Sequence, residues 1–376
     1  MTDSASVKPL RVALVLASST GGVGTHVAAL ASGLIRAGHT VTVYGPEATD
    51  RQFGFAETGA GFVAVEIPAS PQPGDLRAVR TLRRALAEAA PDVIHAHGLR
   101  AGFISGSARP AAVPLVVTWH NAVLAGGLRA RAYHLLQRRV ARTADVTLVV
   151  SADLVDRART LGAKDVRLAT VAAPDQLTSD RTPAEVRVEL GISDDAPLVL
   201  SVGRLHPQKA HHVLIEASVR WLDRRPVPFV AIAGSGPSFL ALTQQISDAG
   251  APVTLLGHRT DVGDLLAAAY VVVVTSVWEG HPVFVQEAMR AGVPIVATGV
   301  GGLPEVVGDG AVLVPVGDVD AIDAAVRELL DDPTRHAEAA ARALARAAEL
   351  PTAAEDLAQV VGVYAELTDS PGTDAS

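Results

Sequence analysis

Along the first half of the chain, short β-branched runs alternate with longer amphipathic stretches. Leu10–Ala17, Thr40–Tyr44, Phe62–Ile67, Asp92–His95, Pro114–Trp119, Val146–Val150 and Val166–Val171 are expected as strands. Val23–Ala37, Leu76–Ala90 and Leu128–Arg142 carry apolar residues at helical spacing. Strands this uniformly apolar, separated by helices, predict a parallel sheet covered on both faces. The pattern stops at Ala172–Arg181, where Ala173-Pro174-Asp175 and Thr178-Ser179-Asp180 have linker chemistry. It then restarts. Pro197–Val202, Phe229–Ala233, Val253–Leu256, Val271–Thr275, Ile295–Ala297 and Val312–Val314 are expected strands, with helices at Lys209–Asp223, Phe239–Ala249, Val283–Ala291 and Ala321–Leu330. The expectation is two Rossmann-like α/β domains in tandem, residues 1–173 and 183–350, joined by a linker at 174–182. Open parallel sheets bind ligands at the carboxyl ends of their strands, so two facing sheets would form one cleft. A last helix, 354–367, follows the second sheet and could pack on either domain.

The 376 residues include no cysteine, which excludes disulfides, thiolate metal sites, iron–sulfur clusters and a thiol nucleophile. The polar N-terminus lacks a signal pattern, and no apolar run approaches the ~18 residues of a membrane span. A cytoplasmic location is the expectation. Net charge is −8, but residues 1–175 carry 19 Lys+Arg against 13 Asp+Glu, and residues 176–376 carry 13 against 27. The halves are therefore expected to meet different partners, with chance surface composition as the plainer alternative. The basic excess includes Arg77, Arg80, Arg83 and Arg84 in one helical stretch and Arg129, Arg131, Arg138, Arg139 and Arg142 in another. They suggest peripheral contact with an anionic membrane, against the alternative of a solvated arginine surface. No nucleic-acid partner is expected.

The most informative segment runs from Ser276 to Ala288, with Glu279 before a helix start at Pro282 and Glu287 about one and a half turns inside the helix. The free amides near Val283 and Phe284 favour an anion, and a carboxylate matches a vicinal diol. One glutamate could hold a sugar and the other a ribose. An ordinary pair of helix glutamates is the bland alternative. Gly203-Arg204-Leu205-His206-Pro207-Gln208-Lys209 ends the first strand of the second domain, and Arg204 and Lys209 there can neutralise a diphosphate. Gly234-Ser235-Gly236-Pro237 is a further strand-to-helix turn on that rim.

In the first half, Ser18–Thr25 carries Gly21-Gly22 between strand and helix but does not match G-x-G-x-x-G in frame. No acidic residue ends the second strand, which argues against a nicotinamide dehydrogenase. His120 ends a strand and is expected to face the cleft. His95 and His97 are placed on opposite faces of their strand, with at most one reaching the cleft. No Asp-x-Asp metal motif is read in the chain, and neither metal nor cofactor is expected.

Taken in order, these segments resemble glycosyltransferase family 4, retaining nucleotide-sugar-dependent enzymes of GT-B fold. The E-x7-E segment, the Gly-Arg-Leu…Lys segment, the early Gly-Gly turn, Asp92–His97, Thr118-Trp119-His120 and Gly301–Glu305 carry the resemblance. It implies that Arg204 and Lys209 bind the donor diphosphate, Glu287 the ribose and Glu279 the transferred sugar. The amides around Val283 and Phe284, together with Gly203 and the Gly21-Gly22 turn, would approach the donor. His120 would lie near the reacting carbon, Arg259 by the base, and the last helix would cross back to the first domain. Three positions depart from the family: Val171-Ala172-Ala173-Pro174-Asp175 replaces a Pro-Asn-Gly-Val-Asp turn, Ala210 replaces a glycine, and His281 stands where an aromatic is common. The function implied is transfer of a hexose from a UDP- or GDP-linked donor to a hydroxyl acceptor, such as a lipid-linked or polysaccharide precursor. A nucleotide-sugar epimerase and a non-catalytic nucleotide-sugar-binding protein are the alternatives.

Overall fold

A computed structural model of the chain describes residues 8–19, 21–70, 72, 74–123, 127–173, 180–193 and 195–369. Thr20, the linker residues Pro174-Asp175 and Thr178-Ser179, and the polar N-terminus lie outside these. The chain divides into two compact units, Met1–Val171 with Ala353–Ser376, and Ala172–Thr352.

The first unit is built on β1 (Arg11–Leu16), β2 (Thr40–Gly45), β3 (Gly61–Ala64), β4 (Val93–His97), β5 (Leu115–Trp119), β6 (Val146–Val149) and β7 (Val166–Leu168). They form one parallel sheet in the order β3-β2-β1-β4-β5-β6-β7. The second unit has β8 (Leu198–Val202), β9 (Phe229–Ala233), β10 (Val253–Gly257), β11 (Val271–Val274), β12 (Ile295–Thr298) and β13 (Val312–Val314). They run parallel in the order β10-β9-β8-β11-β12-β13. Strand order reverses between β1 and β4 in one sheet and between β8 and β11 in the other. Such reversals are where open α/β sheets take up ligands.

The uniform apolarity of the strands follows from two-sided burial. In the second unit, Leu198, Leu200, Val272 and Val274 enter one core, while Val199, Val230, Ile232, Val271 and Val273 enter the core on the opposite face. Apolarity reports burial rather than pairing, and β3 shows the difference. Val65 and Ile67 are buried like strand residues, yet they lie beyond Ala64, where the ladder ends. The Val65 amide still donates to Gly45 O, and Ile67 O accepts from the Ser18 amide, both at 2.9 Å.

The helix expected over Lys209–Asp223 is broken. A 3₁₀ turn at Pro207–Lys209 ends at Ala210, which adopts φ 46°, ψ 37°, and the α-helix proper is His211–Val219. The left-handed conformation at the alanine interrupts the helical run, so the apolar spacing continues across a break in the backbone. Helices Glu47–Phe53, Leu99–Ala108 and Ala152–Thr160 also separate strands. The last helix, Ala353–Asp369, is part of the first unit. It buries Asp356, Val360, Val363 and Tyr364 on one face, and Leu357 sits over Gly33, where an added Cβ would meet it at 3.1 Å.

Candidate functional site

At the reversal of the second sheet, the loops after β8, β9, β11 and β12 interlock through their backbones. The Gly203 amide donates to Ala233 O, the Leu205 amide to Ser235 O and the Gly234 amide to Gly257 O, at 2.9, 2.9 and 2.7 Å. Gly234 must be glycine, since a Cβ there would lie 1.9 Å from Gly203 O. The loop after β11 is pinned by Val277 N to Gln208 O at 2.8 Å, Gln208 Nε2 to Trp278 O at 2.9 Å and Thr298 Oγ1 to Ser276 O at 2.6 Å. Gly301 lies against the Glu279 carbonyl with φ 55°, so close that a Cβ would sit 2.0 Å from the oxygen, and the Gly302 amide donates to that carbonyl at 2.9 Å.

This frame holds Glu279, whose side chain is buried, with Oε1 2.5 Å from Lys209 Nζ and 2.5 Å from Ser276 Oγ. The ion pair therefore spans the β8/β11 reversal. No carboxylate among the described residues pairs with Arg204, which lies on the same loop. Pro282 is the N-cap of helix Val283–Arg290 and no side chain caps it, so the first amides at Val283 and Phe284 are open to an acceptor. Glu287 lies in that helix, half-buried, and burial pushes its carboxyl above the usual range against the opposing effect of Arg290. The rim thus combines a lysine–glutamate pair with open amides, and Glu287 lies further along the same helix, an arrangement that suits a phosphate group joined to a polyol.

Arg259 is not free at this rim. Its guanidinium donates to Asp261 at 2.7 and 2.5 Å and to Glu189 at 2.8 Å, in a cluster that also holds Arg181 and Asp264. An Asp-x-Asp does occur, Asp318-Val319-Asp320, but its carboxylates are in structural use. Asp318 caps helix Val319–Asp331 by accepting from the Ala321 amide at 2.9 Å, and Asp320 pairs with Arg220. Sequence reasoning passed over His211. It is buried beneath the Gly203–Arg204 loop, and burial lowers its pKa to about 4.

At the reversal of the first sheet, the Gly21-Gly22 turn joins β1 to helix Gly22–Arg36, which has no side-chain cap, and nothing lies within 4 Å of a Cβ built on Gly22. Beside it the structure gathers four histidines. His95 and His97 share one face of β4, with ring centres 4.2 Å apart, which corrects the expectation of opposite faces. Side chains on a strand alternate with period two, so residues i and i+2 lie together. His95 Nδ1 lies 2.7 Å from Tyr364 Oη and its Nε2 2.6 Å from Thr118 Oγ1. His97 Nδ1 lies 3.2 Å from His120 Nε2, and His26 Nδ1 lies 3.6 Å from an Asp356 carboxylate oxygen. Burial holds all four rings neutral, with His26 lowered to about 4 and His95 to about 3. His120 follows the end of β5 at the β1/β4 reversal, and His26, Asp356 and Tyr364 join the cluster through contacts that sequence spacing does not reveal.

Residues 21–174 match the family described as Glycosyl transferase 4-like domain, and residues 184–348 match Glycosyl transferases group 1. The D-inositol 3-phosphate glycosyltransferase of Kineococcus radiotolerans is 30% identical over 380 residues, covering 87% of this chain and 86% of that protein. The protein of the same name from Geodermatophilus obscurus is 36% identical over 272 residues, covering 64% of this chain and spanning 59% of that relative's length. HepE of Anabaena, solved in complex with UDP and glucose, shares the fold with a TM-score of 0.82 at 22% identity, covering 96% of this chain and 100% of that one. Two parallel Rossmann-like sheets with these matches in order place the chain in glycosyltransferase family 4, of GT-B fold.

Proposed function

We propose that the chain transfers a hexose from a UDP- or GDP-linked donor to a hydroxyl acceptor with retention of anomeric configuration. The observation that supports this most is the Lys209–Glu279 pair at the β8/β11 reversal, flanked by Arg204 and the uncapped helix at Val283. In this reading Arg204 and Lys209 take the diphosphate, Glu279 a hydroxyl of the sugar and Glu287 the ribose. The bond between the anomeric carbon and the phosphate oxygen breaks as positive charge builds on the sugar. The two cations stabilise the departing diphosphate, and Glu279 keeps the ammonium in place before the donor arrives. The acceptor oxygen attacks from the face that the diphosphate leaves, and its proton passes to the departing phosphate oxygen. His120 serves near the reacting carbon. The donor is a substrate, and no cofactor takes part.

The relatives' names support an acceptor that is a small phosphorylated polyol. The basic balance of residues 1–175 suits such a group. The exposed arginines of helices Asp75–Ala89 and Gly127–Thr143 support a second element, reversible contact with an anionic membrane bearing a lipid-linked acceptor. Each basic residue near such a surface contributes about 1 kcal/mol. Sedimentation with anionic liposomes tests it, and no binding at low salt ends it.

Calorimetry with UDP and GDP tests the donor site. Arg204→Ala and Lys209→Ala should each weaken the preferred nucleotide by roughly 1.5–3 kcal/mol, the worth of a charge-assisted hydrogen bond. Unchanged affinity in both folded variants overturns the donor assignment. Product analysis with donor alone separates transferase from epimerase, since epimerised donor without acceptor contradicts transfer.

A further inference from the structure

The four histidines at the β1/β4 reversal differ in how their nitrogens are engaged. His95 is committed at both, to Tyr364 and Thr118. His97 is committed to no residue but another histidine: its Nδ1 faces His120 Nε2, and its buried Nε2 has no partner among the described residues. His26 has Nδ1 turned toward Asp356, which leaves Nε2 for something else. His26, His97 and His120 each offer one nitrogen, and these nitrogens all lie within 4.8 Å of one another.

The three rings stand in a nearly equilateral triangle, with centres 5.6, 5.4 and 5.4 Å apart. Three imidazoles bound to one tetrahedral ion at about 2.0–2.1 Å would have ring centres roughly 5 Å apart. His97 Nδ1 and His120 Nε2, now hydrogen-bonded at 3.2 Å, already lie near the separation of about 3.4 Å between two ligands of such an ion, and the remaining pairs, within 4.8 Å, would draw in around it. A carboxylate behind a ligating histidine is the usual partner that fixes its tautomer and aims its other nitrogen, and Asp356 stands 3.6 Å from His26 Nδ1, a few tenths of an ångström from making that bond. Access is from the end of β5, where His120 is half-buried while His26 and His97 are buried.

We propose that His26, His97 and His120 form a three-imidazole site for a divalent transition metal of the zinc class, with Asp356 orienting His26 and a fourth position open at the rim. Imidazole nitrogens suit zinc, copper and nickel, whereas magnesium and calcium require oxygen ligands. Burial keeps the rings neutral, which is the form that binds a metal. Binding stands independently of sugar transfer. Its consequence rests on the transfer reading: a metal on His120 withdraws that ring from the acceptor side, so occupancy slows transfer.

The test uses the full chain, stripped with a chelator and titrated with Co²⁺. One equivalent should raise the visible absorption of tetrahedral cobalt, Zn²⁺ should displace it, and Mg²⁺ should not. His26→Gln and His97→Gln should each weaken binding at least 100-fold. Asp356→Asn should weaken it by about 10–100-fold, and His212→Gln, a change at an exposed histidine of the other unit, should leave it unchanged. In case a variant fails to fold, imidazole NMR of the wild-type chain follows the same titration, with the signals of His26, His97 and His120 moving and His95 keeping its bonded pattern. Absence of the cobalt band in folded wild type overturns the site, as does a band that survives in both His26→Gln and His97→Gln. Metal binding without any slowing of transfer keeps the site and rejects its link to His120 chemistry.

Discussion

At the reversal of the first sheet, buried uncharged imidazoles stack on one another. At that of the second, a lysine and a glutamate meet beside an arginine, clamped by glycine loops. The two sheets share their topology around these points, with a reversal between the first strand and the fourth of each unit. The fold therefore determines where a site can be, while the residues at the strand ends determine its chemistry. The first rim presents neutral nitrogens to a ligand, and the second presents fixed charge.

The comparison is tested most strongly by acid. The buried histidines have pKa values below that of an unfolded histidine, so between those values the unfolded chain binds more protons and stability falls as pH falls. Stability is complete above about pH 6.5 and is lost toward the folded values of about 4 for His26 and 3 for His95. At pH 5 each costs about 2 kcal/mol, so the first unit should lose about 4 kcal/mol relative to pH 7 from these two alone. The second unit should lose about 2 kcal/mol through His211, whose pKa is about 4. Hydrogen exchange on metal-free protein, corrected for the intrinsic rate at each pH, resolves the two units. Equal loss of protection in both would remove the contrast.

Next in size is the charge pair. Lys209→Met leaves the Glu279 carboxylate buried without its cation and should cost roughly 3 kcal/mol. Adding Glu279→Gln should recover most of that loss. Denaturant midpoints measure both, and a double variant no more stable than Lys209→Met would show that the pair is incidental to the rim.

The glycines give a smaller contrast. Gly234→Ala drives a methyl into the Gly203 carbonyl and should cost about 2 kcal/mol, as overpacking does. Gly22→Ala meets open space and should leave the melting temperature unchanged, so any activity it loses reports a ligand close to that turn. Equal destabilisation by the two changes would contradict the difference in packing. The smallest effect belongs to Ala210, held at φ 46°. Ala210→Gly should relieve that conformation and stabilise by at most about 1 kcal/mol, since glycine's extra freedom in the unfolded chain offsets part of the gain. A lower melting temperature would show that the methyl packs better than its backbone suggests.

Much of this architecture was legible in the residues. Val271–Val274 announces a strand buried on both faces, and Pro282 marks the start of the helix that carries Glu287. What local pattern missed depended on distant partners or on single torsions. Arg259 looked available although Asp261, two residues on, binds it, and its second partner Glu189 lies far away in sequence. Lys209 and Glu279 were each read as ligand-binding, but their bond joins loops that only the sheet order brings together. The break at Ala210 is a backbone event that apolar spacing cannot register. The histidine cluster draws on β1's helix, β4, β5 and the final helix, so no window of sequence contains it.

The final helix also bears on how the protein comes to be made. Asp356 and Tyr364, which hold His26 and His95, are synthesised after the whole of the second unit. On the ribosome, residues 172–352 emerge before helix Ala353–Asp369 of the first unit does. The rim of the second unit can therefore mature while the imidazole cluster still lacks two of its neighbours. A nascent chain arrested before Ala353 should bind nucleotide yet leave the cluster open to acid and to modifying reagents, which makes synthesis of helix Ala353–Asp369 the step that closes the first site.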